Sequence, residues 1–326
     1  MPRRRDAMKH SMLAQRRSSD IYGNPGPGHG PAWAWDAAMR TGDFQAAWSV
    51  SDAVLAARDP AYRPACRDDP RRPYHERWVW DGRPFDGRRV LVRCYHGLGD
   101  TLQFCRFLPA LRARAAHVVL EVQPELLALL RALPGVDRLH PFDPAHPLPP
   151  DECDIEVMEL CHALRLVPET RAYLHADRMP GVPGGTWLCW AAGGWDPARG
   201  LDPALLRPVA GPRPISLQRG PASRDAGVLA ATDPLDGSMD ILATAGLLMA
   251  LDDVVTVDTM AAHLAGALGR PTTVLLKHTP DWRWGKQGLW YASARTVRQP
   301  APGDWPGAIA ELARTQAGTL PGPKGL

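Results

Sequence analysis

The chain has 326 residues, 45% of them apolar, and a formal net charge of only +3. That length exceeds what one hydrophobic core usually serves, so two domains of ~100–150 residues are expected. Nearly all the basic residues are Arg, with Lys only at 9, 277, 286 and 324, and no basic stripe is interleaved with aromatics, which argues against a nucleic-acid partner.

In chain order, residues 1–30 carry charge, Ser and the run GNPGPGHGP, with too few apolar side chains to offset the entropy of ordering, so a disordered N-terminus is expected. From 31 to 58, the stripe Ala34, Trp35, Ala38, Met39, the break Gly42-Asp43 and the stripe Ala46, Ala47, Trp48, Val50, Val54, Leu55 predict two short antiparallel helices. The segment, with its GDFQAAW turn, resembles one tetratricopeptide-type unit. A single such unit cannot bury its own face and must dock on the next domain or on a protein partner. Residues 59–87, dense in Pro, Arg and Asp but holding Trp80 and Phe85, read as an ordered connector.

The stretch 89–123 predicts a βαβ unit: strand Val90–Val92, a break at Gly97-Leu98-Gly99, a helix through Leu102, Phe104, Cys105, Leu108 and Leu111, and a strand over 116–122. A helix over 125–133 and short strands at 137–139 and 154–158 follow, and 168–185 reads as the crossing to a second half. That half holds strands at 186–190, 215–217, 254–257 and, last, 272–276, with helices over 239–250, 258–268 and 304–313. Two doubly wound, Rossmann-like α/β halves are implied, one over 88–183 and one over 184–318.

The six cysteines (66, 94, 105, 153, 161, 189) form no CxxC, which favours buried free thiols in a reducing compartment over a disulfide framework or zinc site. The first twenty residues lack the apolar core of a secretory signal, and no stretch approaches the ~18 apolar residues of a membrane span. A cytoplasmic location, at most peripheral to the inner membrane, is expected.

Asp100 stands at the carboxyl end of a parallel strand, where open α/β sheets place ligands. With Gln103 three residues on, it also fits a capping box worth about 1 kcal/mol, which needs no chemistry. Gly97 and Gly99 tilt the balance towards function, because they remove side chains that would keep a ligand from the backbone. Asp258 repeats the situation: Thr259 follows, then a helix whose small residues (Ala261, Ala262, Ala265, Gly266) allow close packing on its sheet. The start of that helix is a natural diphosphate site, although an Asp-Thr start is also a common cap. His263 reads either as a buried core histidine or as a phosphate donor. Lys277 and Arg219 follow strand ends, where a cation favours an anionic ligand and a solvated side chain is the ordinary alternative. No DxD triplet occurs, so no metal is expected, and HGLGD does not complete G-x-G-x-x-G, which weakens a dinucleotide reading.

HGLGDTLQFCRFLPAL with VVLEVQPELLALLRALPGVDRL, ISLQRGPA and VTVDTMAAHLAGALGRPTTVLL…PDWRW…WY resembles the glycosyltransferase family 9 proteins, the ADP-heptose:lipopolysaccharide heptosyltransferase-like group, in the branch with tetratricopeptide-type helices ahead of the transferase. The resemblance implies a GT-B fold, with two Rossmann-like domains facing a cleft, acceptor in the first and nucleotide sugar in the second. It assigns Asp100 as the base, with Gly97, Gly99 and Gln103 in its loop, and carries donor binding onto Asp258, Thr259 and His263. Gln218, Arg219, Arg199 and Lys277 complete the donor set. No cofactor is implied beyond a nucleotide-sugar co-substrate, with ADP-heptose as one candidate, and the acceptor is a saccharide, lipid-linked or protein hydroxyl. The loop AAGGWDPARGLD, with Arg199 its only cation, and Lys277-His278 depart from the family pattern. They motivate a second reading, a non-catalytic transferase-like interaction protein.

Overall fold

Two helices open the described chain, α1 (Pro31–Thr41) and α2 (Phe44–Ala57). Gly42 turns between them in the left-handed region (φ +77°), and the Asp43 carboxylate accepts the Ala46 N–H at 3.0 Å, capping α2. The computed structural model describes residues 31–57, 79–194, 196–216, 218–238 and 240–318. The expected disordered N-terminus, residues 59–78 of the connector, Leu217, Met239 and the end beyond 318 lie outside the described residues.

The described residues divide into two compact units. One comprises residues up to Glu169 together with Asp281–Trp290, and the other comprises Thr170–Pro280 and the chain from Tyr291 onward. The helical hairpin docks within the first unit, on the 281–290 segment. Trp35 meets the Trp282 ring edge-on at 5.0 Å between centroids, and Phe44 meets Trp290 at 6.2 Å. A Cβ on Gly285 would lie 2.5 Å from the Arg40 backbone, so only glycine permits that approach. The described end of the connector is ordered, with Trp80 stacked on Phe85 and both buried.

The first unit holds β1 (Arg89–Arg93), β2 (His117–Val122), β3 (Arg138–Pro141) and β4 (Cys153–Glu156), all parallel in the order β3-β2-β1-β4. The continuous helix expected after β1 is broken into α3 (Leu98–Phe104), a 3₁₀ turn (Cys105–Phe107) and α4 (Leu108–Arg112). Pro109 explains the break, since it has no N–H to give to the preceding turn. The next helix shrinks to a 3₁₀ turn and α5 (Leu127–Leu130), and α6 (Leu160–Leu164) follows β4.

The second unit holds β5 (Thr186–Cys189), β6 (Pro214–Ser216), β7 (Asp253–Val257), β8 (Thr272–Leu276) and β9 (Ala294–Arg298), parallel in the order β6-β5-β7-β8-β9. Its helices are α7 (Ile241–Leu248), α8 (Met260–Ala267) and α9 (Trp305–Gly318). β8 is thus not the last strand. β9 escapes the sequence reading because ARTVR buries only Ala294 and Val297, as an edge strand can. Residues 170–183 pack on this unit through Tyr173 and Leu174, whose N–H groups bond the Ala267 carbonyl at 3.0 and 3.1 Å.

Both strand orders reverse once, between β1 and β4 in the first sheet and between β5 and β7 in the second, and in open α/β sheets ligands bind at such switch points. The α/β class, the two parallel sheets and the preceding hairpin are as the sequence predicts. The segment 281–290 is the exception. It lies between β8 and β9 in sequence yet groups with the first unit, a division absent from the unbroken 184–318 domain of the sequence reading.

Candidate active site

At the first switch point the short loop 94–97 joins β1 to α3, whose N-cap is Gly97 (φ −74°, extended) rather than Asp100. Asp100 is the third helical residue and reaches back, its Oδ2 accepting the Gly97 N–H at 3.0 Å. A Cβ on Gly97 would sit 3.3 Å from that oxygen, which is one role of this glycine; Gly99 lies in the first turn of α3. Gln103 takes no part in a capping box. It is buried, and its Oε1 accepts from Arg283 Nε at 2.9 Å. The same guanidinium bonds Asp100 Oδ1 through Nη2 at 2.5 Å and Asp281 Oδ1 through Nη1 at 2.9 Å, and stacks 4.3 Å from the Trp282 ring centroid. Asp100 keeps 23% of its side-chain surface exposed and Arg283 11%.

His96 and Glu156 span the switch point between β1 and β4. His96 Nδ1 lies 3.0 Å from Glu156 Oε1, while Glu156 Oε2 accepts the Met158 N–H at 2.7 Å. Burial lowers the basicity of His96, but the Glu156 carboxylate outweighs it and the imidazole pKa is raised. Gln123, at the end of β2, fastens this loop by donating to the His96 carbonyl and accepting from Thr101 Oγ1, both at 2.9 Å. His96, Glu156 and Arg283 are absent from the sequence-based site. The only signal for Arg283 is the PDWRW string, because its partner Asp100 lies 183 residues away.

At the second switch point Thr259 caps α8, its Oγ1 accepting the Ala261 N–H at 3.2 Å. Asp258 precedes it and is buried; Arg199 Nη1 bonds the Asp258 carbonyl at 2.9 Å and lies 3.8 Å from Oδ2. One short turn, Pro197–Arg199, therefore connects β7 with β8, since Asp196 just before it receives Lys277 Nζ at 2.6 Å. Lys277 is thus already matched by a carboxylate. Gln218 is spent internally: its Oε1 accepts the Trp190 and Ala191 N–H groups at 3.1 and 2.9 Å, and its Nε2 donates to Ala191 and Arg219 carbonyls.

Arg199, Asp258, Thr259 and Lys277 are brought together, whereas Arg219 and His263 turn elsewhere. Arg219 bonds Asp233 at 2.6 Å. Burial raises that carboxyl, but Arg219 and two backbone N–H groups bring it below its usual value. His263 is buried, with Nδ1 3.0 Å from the Tyr291 hydroxyl, as in the core-histidine reading. A Cβ on Gly266 would lie 2.5 Å from the Tyr291 ring, so the small residues of α8 make room for an aromatic side chain.

Burial pushes the thiols of Cys105, Cys153 and Cys161 up to about 12, which removes them as nucleophiles; the five described cysteines are free. Among the described residues no three His, Cys, Asp or Glu side chains gather as a metal site, and no helix is long and apolar enough to cross a membrane.

No protein-family model matches the chain, and no curated protein matches it in sequence. Among solved structures it is similar to a glycosyltransferase family 9 protein from Veillonella parvula DSM 2008, at 12% identity over 72% of this chain and 90% of that one, TM-score 0.48. It is also similar to E. coli ADP-heptose lps heptosyltransferase II (14%, 70% and 99%, TM-score 0.49) and to E. coli heptosyltransferase WaaC with ADP (16%, 71% and 99%, TM-score 0.49).

Proposed function

We propose that the chain is a glycosyltransferase that moves a sugar, a heptose among the candidates, from a nucleoside diphosphate to a hydroxyl acceptor with inversion and without a metal. The observation that carries the reading is Asp100: a partly exposed carboxylate at a sheet switch point, held by a part-buried guanidinium and one backbone N–H. The acceptor oxygen forms a bond to the anomeric carbon while the bond from that carbon to the diphosphate oxygen breaks. Asp100 takes the hydroxyl proton as the bond forms. Charge then develops on the leaving diphosphate, and Arg199, Lys277 and the start of α8 are the groups in the second unit that can stabilise it. In this reading Asp258 holds Arg199 rather than meeting the donor, and Gln218 shapes the loop after β5.

A panel of nucleotide sugars turned over by wild type and Asp100→Ala tests this. Equal rates would remove Asp100 as base. The pairing of Lys277 with Asp196 and of Arg219 with Asp233 supports the second reading, a non-catalytic transferase-like interaction protein. Calorimetry against ADP, UDP and GDP separates the two, because a scaffold has no reason to retain micromolar affinity for a nucleotide.

A further inference from the structure

We propose that Arg283 is the positioning residue for Asp100: its guanidinium fixes the plane and direction of the carboxylate that receives the acceptor proton. The inference rests on the reading of Asp100 as base. Each guanidinium nitrogen has its own acceptor, Nε on Gln103 Oε1, Nη1 on Asp281 Oδ1 and Nη2 on Asp100 Oδ1. The Trp282 face closes one side of its plane. Asp281 is fixed in turn, since its Oδ1 also accepts the Arg283 backbone N–H at 3.0 Å.

Asp100 and Gln103 lie three residues apart on α3 and so face the same way, and a planar fork spans both where an ammonium could not. Docking the 281–290 segment onto α3 would need only the Gln103 contact and the Trp282 and Trp290 rings against Phe104. The bond to Asp100 strengthens that docking as a charge-assisted hydrogen bond and also orients a charged oxygen. With Oδ1 on Arg283 and Oδ2 on the Gly97 N–H, both carboxylate oxygens are directed. The other titratable groups around the pair are His96 and Glu156 from the β1 and β4 ends and Asp281 from the arginine's own segment.

The test uses the full chain with Arg283→Ala and Arg283→Lys, pH profiles of kcat/KM, and added guanidinium ion. Removing a cation makes a carboxylate easier to protonate, so the acid limb of Arg283→Ala moves to higher pH. Its kcat falls ~10²-fold with donor KM little changed, and guanidinium ion restores part of the rate. Arg283→Lys keeps the limb near its wild-type position but loses ~10-fold in kcat. An Arg283→Ala enzyme with wild-type kcat and pH profile overturns the proposal. If Arg283→Ala does not fold, Arg283→Lys with unchanged kcat does so. If the wild type turns over no donor, the transferase reading fails separately. The ¹³C titration of the Asp100 carboxyl then decides: a midpoint raised by about one unit in Arg283→Ala, or in Arg283→Gln where the alanine variant does not fold, supports the pairing, and an unmoved midpoint ends it.

Discussion

The two sheet edges are built from the same parts and use them in opposite ways. At the β1 edge both partners are part-buried, and the carboxylate of Asp100 is the more exposed, 23% against 11% for its cation Arg283. At the β5 and β7 edge Asp258 is buried, and Lys277 and Arg219 are each pinned to a carboxylate, Asp196 and Asp233. A carboxylate oriented by an arginine is ready to accept a proton, whereas cations already matched by carboxylates offer an incoming anion less than their number suggests.

The sharpest way to break this contrast is Asp100→Asn. It keeps the shape but loses the charge, and its single side-chain oxygen can serve Gly97 or Arg283 but not both; kcat falls ~10²–10⁴-fold while unfolding free energy falls by only about 1–2 kcal/mol. A comparable fall in stability would show that the first edge is as structural as the second. Gly266→Ala tests the second edge from behind. Its Cβ enters the Tyr291 ring, so unfolding free energy falls by about 1–3 kcal/mol and the His263–Tyr291 bond is disturbed, measurable by urea denaturation.

Asp196→Asn frees Lys277 without touching the β8 strand. If matched cations are what limits the second edge, ADP binds ~10-fold more tightly by calorimetry, and an unchanged Kd would remove Lys277 from the donor site. The smallest effect concerns Glu156→Gln. The folded pKa of His96 is raised above its ordinary value of 6.5, so the stability contributed by its pairing with Glu156 is fully present below about pH 6.5 and fades as pH rises through the raised value. The substitution therefore costs more stability at pH 6 than at pH 9 in thermal melts, and an equal loss at both would deny the charged pair.

Much of the fold is legible because it is local. Val90–Val92, Val254–Val257 and Thr272–Leu276 are buried along their whole length, as parallel strands covered on both faces must be, and such runs announce themselves. Thr259 is the N-cap that an Asp-Thr start suggests, but Asp100 lies in the first turn of its helix, because the extended conformation of Gly97 lets the helix begin three residues earlier than a capping Asp100 would. β9 stays hidden because only Ala294 and Val297 of this edge strand are buried, which leaves no strand-period apolar run.

The sequence by itself determined the class of the protein, the glycine-opened end of β1 and the carboxylates after β1 and β7, since apolar period and turn residues act over a few positions. Only the tertiary structure decided which charges meet. The pairing of Arg283 with Asp100, of Lys277 with Asp196 and of His96 with Glu156 joins residues 183, 81 and 60 positions apart. An ion pair leaves no periodic trace in the chain, because it depends on where folded elements bring side chains and not on their spacing in sequence.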